Sequence, residues 1–108
     1  MRPSKTKKYK LHTLDVIVIN EIPYLFAQQI LIALGVGGYH VSVNDKKIKK
    51  LVTECARRNP DLTAVVEVET VVGLFLTRIF TPEGAAVLAE EIASPESADF
   101  ALWARGFV

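Results

Sequence analysis

The order of apolar and polar positions sets out most of the chain. Asp15-Val16-Ile17-Val18-Ile19 and Ile22-Pro23-Tyr24-Leu25-Phe26 flank the polar pair Asn20-Glu21, which predicts a β-hairpin. Pro23 has no N–H to give to a ladder, so the second strand is expected to be short or at an edge. Ala27 to Leu34 reads as a short helix stopped by Gly35, with Gly37-Gly38 continuing the turn. Ser42 to Asp45 then offers cap residues, with Asn44 as one candidate cap. In the helix that follows, over about residues 45–58, Ile48, Leu51, Val52 and Cys55 recur on one face. Lys46, Lys49, Lys50, Thr53 and Arg57 fall on the other, with Lys47 and Arg58 on its flank. Asn59-Pro60-Asp61 ends that helix, because proline cannot continue it and restricts the residue before it.

From Ala64 to Phe80 the residues are β-branched and apolar, with Glu67 and Glu69 on one face and Val66 and Val68 on the other. A break near Thr70–Gly73 predicts a second hairpin, about 64–69 against 74–80. Thr81-Pro82-Glu83 combines a hydroxyl cap, proline at the first helical position and an acid at the positive end of the dipole. Ser94-Pro95-Glu96 repeats the signal and predicts a last helix running towards Val108. The expected order is β-hairpin, two helices resembling a helix-turn-helix, second β-hairpin and two C-terminal helices, an α+β domain over 14–108. Residues 1–13 carry five basic residues and no acid and are expected to be a flexible basic arm.

Composition narrows the class. The chain has 108 residues, half of them hydrophobic, enough for one domain with a real core. No apolar run approaches the ~20 residues that span a bilayer, so no membrane is expected as partner. The polar, basic start is unlike a secretory leader. A single cysteine, Cys55, cannot form an internal disulfide, and a cytoplasmic, nucleoid-associated location is expected. The formal net charge of +1 hides an asymmetry: eleven Lys/Arg against four acids in residues 1–58, two against eight in 59–108. A basic half beside an acidic one points to a polyanion-facing surface.

Catalytic chemistry finds little footing. Gly35-Val36-Gly37-Gly38 lacks the Lys-Ser/Thr of a P-loop and the spacing of a dinucleotide fingerprint, so it reads as a turn. His12, His40 and Cys55 are too few and scattered for a metal motif, and Cys55 sits on the apolar helix face as a core residue would. Glu90 and Glu91 diverge by about 100° on their helix. The chain is expected not to be an enzyme and to need no cofactor and no metal. The helix-turn-helix reading instead lays helix 45–58 in a major groove, with Asn44, Lys46, Lys47, Lys49, Lys50, Thr53 and Arg57 facing the duplex. Arg2, Lys5, Lys7, Lys8 and Lys10 of the arm would follow the backbone or enter a minor groove. Arg78, in the second hairpin, would be a wing contact or an ion-pair partner of Glu67 or Glu69.

At these residues the chain resembles a family. The hairpin leading to Ala27, then Ala33-Leu34-Gly35-Val36, looks like the "strand, helix, Ala-Leu-Gly-aromatic" opening of Bro-N domains, with Val36 in the aromatic position. Thr81-Pro82-Glu83-Gly84 is similar to that family's "Asn-Glu-x-Gly" helix start, though Gly84-Ala85-Ala86 is leaner than its Gly-Leu-Tyr. Ser94 to Trp103 looks like its "Ser-x-x-Pro-x-Ala-Lys-x-Phe-x-x-Trp" ending, with Asp99 near the family lysine. Bro-N is related to KilA-N and ORF6N and stands at the front of phage antirepressor-type regulators. The resemblance covers about residues 14–105 and implies DNA binding with a transcriptional or antirepressor role. Members commonly carry a further C-terminal domain, so the chain is expected to be either a fragment or a stand-alone domain. Phe100 and Trp103 also have a plain structural reading, as anchors of the last helix.

The expected function is therefore a DNA-binding domain of a transcriptional regulator or antirepressor-like protein, with double-stranded DNA as partner. A homodimer is expected to form through acidic residues 81–108. The rival expectation is a protein-interaction module that binds a repressor or other host protein through that acidic half. Lysines 46, 47, 49 and 50 separate the two: held in ion pairs by the acidic half they favour the module, left open they favour DNA.

Overall fold

The computed structural model describes residues 5–36 and 45–107, with only the backbone at Asp45 and Thr70. The chain forms strands β1 (Lys5–Tyr9), β2 (His12–Ile19) and β3 (Ile22–Phe26), then helices α1 (Ala27–Ala33) and α2 (Asp45–Arg58). A single 3-10 turn, Pro60–Leu62, leads into β4 (Thr63–Thr70) and β5 (Gly73–Phe80), and helices α3 (Pro82–Ile92) and α4 (Ser97–Arg105) follow. The fold is α+β, as the alternation of periods predicts. The strands make one antiparallel sheet in the order β1-β2-β3-β5-β4, which leaves β1 and β4 as its edges.

The turns form where the local chemistry lets them. Asn20 and Glu21 both take positive φ, 52° and 69°, which makes the β2–β3 connection a type I′ turn whose twist matches the strands it joins. Gly35 ends the α1 region at φ 78°, as a helix-stopping glycine should. Thr81 caps α3: its hydroxyl accepts from the Gly84 N–H at 3.0 Å, with Pro82 in the first turn.

Two expectations change. The arm of 1–13 is not free over its described part: Lys5–Tyr9 pairs with β2 from Lys5↔Val16 to Tyr9↔His12. An edge strand needs partners on one side only, and β1 buries just Tyr9, so no apolar alternation announces it. The last helix begins at Ser97 rather than at Pro95. Ser97 turns its side chain back, its Oγ accepting from the Ser94 N–H at 2.8 Å, so Ser94–Ser97 is a closed turn ahead of the helix.

One face of the sheet holds the main core. Leu14, Val16, Leu25 and Phe80 meet Ile30 and Leu34 from the α1 side, Cys55 of α2, Leu88 of α3 and Phe100 of α4. The opposite face carries a smaller cluster, Ile17, Phe26 and Ile79, with Tyr24, Val66 and Val68 packed around it. The seam between β5 and α3 is tight. A Cβ placed on Gly84 would lie 2.5 Å from the Leu62 carbonyl oxygen and 3.2 Å from Phe80 Cδ1.

At the β1 end α4 is stapled down by aromatic rings. Tyr9 lies edge-on to Phe100 at 5.1 Å and to Trp103 at 5.5 Å between centroids, and Trp103 meets Phe107 at 5.7 Å. Phe100 and Trp103 thus take the anchoring role their spacing suggests.

Candidate nucleic-acid interface

Helix α2 is amphipathic in the sense the sequence requires. Cys55 and Ala56 are buried, Ile48, Leu51 and Val52 are half-buried, and Lys46, Lys47, Lys49, Lys50, Thr53 and Arg57 are exposed. Its apolar stripe faces α3, and Arg58 pairs with Glu91 of α3 to fix it there. Two polar residues of the exposed face are already used locally. Thr53 Oγ1 donates back to the Lys49 carbonyl at 3.0 Å, and Arg57 Nη2 meets Glu54 Oε2 at 2.6 Å. That guanidinium holds the Glu54 carboxyl below its ordinary range, and Glu54 in turn raises Arg57.

The lysines differ. Among the described residues Lys46, Lys47 and Lys50 make no ion pair. They stand in the first six residues of α2, at the positive end of the helix dipole, where cations are disfavoured. No ion pair among the described residues offsets that charge, although Lys50 acts through space on Glu54.

The acidic half spends its carboxylates elsewhere. Arg105 Nε lies 3.2 Å from Glu83, its Nη2 lies 2.7 Å from Glu90, and both carboxylates raise its affinity for the proton. Lys10 Nζ lies 2.9 Å from Glu96 and 3.1 Å from Asp99. Glu96 also accepts from the Tyr9 hydroxyl at 2.6 Å and is held below the ordinary carboxylate range by Tyr9 first and Lys10 second. Burial, then the Glu96 hydrogen bond, pushes the Tyr9 phenol up to about 12.

The remaining expected contacts divide between the two ends of the sheet. Arg78, on β5, comes close to α2: a groove of about 510 Å³ between α1, α2 and β5 has Gln28, Lys49, Thr53 and Arg78 among its polar lining, beside apolar Leu31, Ile48, Val52 and Leu76. Arg78 Nη1 donates to Thr63 Oγ1 at 3.4 Å on the neighbouring strand. Lys5, Lys7, Lys8 and Lys10 lie on or beside β1, at the far edge. Lys10 is taken by the α4 acids, and Lys7 Nζ sits 5.6 Å from the centre of the Phe107 ring. Four strand spacings, roughly 19 Å in all, part β1 from β4. The arm and the basic helix, expected to act together, thus lie towards opposite edges. Asn44 and His40 are outside the described residues.

Cys55 is fully buried, and burial pushes its thiol up to about 11, with Glu91 adding to the effect. A thiol kept protonated in the core is inert as a nucleophile. Among the described residues no three His, Cys, Asp or Glu side chains gather as a metal site would need, and no described helix is long and apolar enough to cross a membrane. The feature that sequence reasoning missed is apolar: Val71, Val72, Leu74, Phe75 and Leu76 stand exposed on the β4–β5 hairpin. Its signal was present only as an apolar run on a strand. No family model matches the chain, and neither a curated protein nor a solved structure matches it.

Proposed function

We propose that this chain is a DNA-binding domain in which α2 docks on the duplex and Arg78 of the β4–β5 hairpin supports it. The observation that carries the reading is the contrast among the cations. Lys10, Arg57, Arg58 and Arg105 are paired with carboxylates, whereas Lys46, Lys47 and Lys50, clustered at one helix end, form no ion pair among the described residues; Lys5, Lys7 and Lys8 form none either, but they are spread along a strand at the far edge. A polyanion supplies the charge that this cluster lacks, and a row of phosphates fits its extent along roughly one and a half helical turns. Lys49, Thr53 and Arg78 line the adjoining groove, so hairpin and helix would approach the same duplex.

The likeness of residues 14–105 to Bro-N domains supports a transcriptional regulator or antirepressor as the setting, in a chain that is not itself an enzyme. The acidic half is a poor rival surface, since Glu83, Glu90, Glu91, Glu96 and Asp99 are already paired within the domain.

A fluorescence titration against duplex DNA at several salt concentrations tests the reading. Affinity is expected to fall steeply with salt. Lys46→Ala/Lys47→Ala/Lys50→Ala is expected to flatten the log–log slope by about 0.9 for each phosphate that is no longer neutralised. Binding that is absent at low salt, or a slope the triple variant leaves unchanged, overturns it.

A further inference from the structure

We propose that the pocket between α1 and the sheet face turned away from the main core binds a small organic cation with an aromatic body. Its ammonium group would sit on Asp15 and its ring against Phe26 and Phe75. The proposal stands independently of DNA binding, since neither α2 nor its lysines take part. The pocket has a volume of about 490 Å³, within the range of small-molecule sites, and is walled mainly by apolar Phe26, Ile32, Val68 and Phe75. Asp15 and Gln29 are among its few polar groups. The sheet brings these residues to one face. Phe26 and Val68 belong to the smaller apolar cluster, and Phe75 stands opposite Val68 in the ladder. Leu14 and Val16 point into the main core, so Asp15 between them points to the other side.

The charge of Asp15 is what singles the pocket out. Four of the described carboxylates are partly buried: Asp15, Glu54, Glu91 and Glu96. Glu54 pairs with Arg57, Glu91 with Arg58 and Glu96 with Lys10, whereas Asp15 forms no ion pair among the described residues. Its hydrogen bonds are to a neutral group. Gln29 Nε2 donates to Asp15 Oδ2 at 2.8 Å, and the Asp15 N–H donates to Gln29 Oε1 at 2.7 Å. That closed ring holds the carboxylate in place but leaves its charge unmatched and most of its acceptor capacity open. Opposite Asp15 on β1 stands Thr6, which brings no charge either.

These features select the class of ligand. A carboxylate set in an apolar wall repels anions, and a neutral guest would leave its charge unanswered. A cation supplies the missing charge where the wall keeps out part of the water, so the attraction is stronger than on an open surface. The rings of Phe26 and Phe75 favour an aromatic body, since aromatic pairs gain from offset or edge-on contact. Ile32 is 38% and Phe75 52% exposed, so a ring seated between them would cover apolar surface that the fold leaves open. Gln29 fixes Asp15 beforehand, which spares the site much of the cost of ordering on binding.

An NMR titration of the isotope-labelled full chain with 2-phenylethylamine at neutral pH tests this, with 2-phenylethanol as the uncharged counterpart of the same shape. The amine is expected to bind in the millimolar range open to so small a probe and to shift the amide signals of Asp15, Gln29, Val68 and Phe75 first. The alcohol is expected to bind about fivefold more weakly, the difference that one partly exposed ion pair makes. Asp15→Asn keeps an oxygen to accept from Gln29. It is expected to bring the amine down to the affinity of the alcohol and to leave the alcohol unchanged. A wild type that binds neither probe or binds both equally, amine binding indifferent to Asp15→Asn, or shifts centred on the acids of α3 and α4 would overturn the proposal. The comparison of amine with alcohol needs no variant, so it decides the matter if Asp15→Asn folds poorly.

Discussion

The β1 end and the β4–β5 end of this sheet solve the same problem, a strand edge beside a helix, in opposite ways. At β1 the aromatic rings of Tyr9, Phe100, Trp103 and Phe107 pack on one another, and Lys10 is held by Glu96 and Asp99. At the other end Leu74, Phe75 and Leu76 face solvent, and Lys46, Lys47 and Lys50 of the neighbouring helix form no ion pair among the described residues. Both ends keep exposed lysines and apolar side chains, Lys5, Lys8, Leu11 and Leu102 among them at the β1 end, but only that end adds a packed aromatic cluster and a lysine held by two carboxylates. The proposed docking on DNA rests on the basic side chains of the β4–β5 end.

One residue type at two addresses gives the sharpest test. Phe100 is fully buried, and Phe100→Ala is expected to cost about 3–5 kcal/mol, the sum of forfeited transfer energy and the cavity left behind. Phe75 is half exposed, and Phe75→Ala is expected to cost under about 1 kcal/mol. Urea denaturation at low protein concentration measures both. Equal losses would mean that the hairpin belongs to the core and that the comparison fails.

The seam between the two ends comes next. Gly84→Ala pushes a methyl group into the Leu62 carbonyl, which is itself fixed by accepting from the Thr81 N–H at 2.9 Å. Backbone cannot swing aside as a side-chain tip does, so a loss of about 1–3 kcal/mol is expected in thermal unfolding. A neutral result would show that the 3-10 turn and β5 yield together, and that the two ends are less rigidly joined than the packing implies.

These differences also mark what was legible in the sequence. Both flanking hairpins, the amphipathic α2 and the Thr81 cap are local features, set by alternation, by a period of 3.6 and by the chemistry of four residues. Strand β1 was not legible, because Lys5-Thr6-Lys7-Lys8-Tyr9 has one apolar residue and pairs through its backbone. Nor was the fate of Lys10: its partner Glu96 is 86 positions away, and the two meet only because α4 packs on β1. The basic face of α2 was read correctly as a face. Which cations stay unpaired is a tertiary property, decided by where the acids of α3 and α4 end up. The exposed hairpin was readable as apolar but not as uncovered, since a strand does not announce what lies over it.

The closed end can be probed through pH, with Tyr9→Phe as the variant. The Tyr9 phenol ionises at about 12 in the folded protein against an ordinary 10.0, because burial and the Glu96 carboxylate disfavour the phenolate. The folded state therefore holds that proton more tightly than the unfolded chain. The stabilisation is complete below pH 10 and is lost as pH rises towards 12. Glu96 behaves with the opposite sign. The Tyr9 hydroxyl and the Lys10 ammonium favour its carboxylate, so its contribution is present above the ordinary 4.5 and is lost as pH falls through its lower folded value. Removing one hydroxyl therefore acts on both limbs: urea midpoints of Tyr9→Phe should decline less than the wild type's between pH 10 and 12, and less steeply in acid, where Lys10 and His12 still favour the charged Glu96. At neutral pH the variant should lose about 1.5 kcal/mol, the lower range for a hydrogen bond to a charged acceptor. A Val65→Lys change on β4, an exposed position at the opposite edge, should leave both limbs as they are. If it flattens them as Tyr9→Phe does, the two ends titrate as one unit and the division between them is wrong.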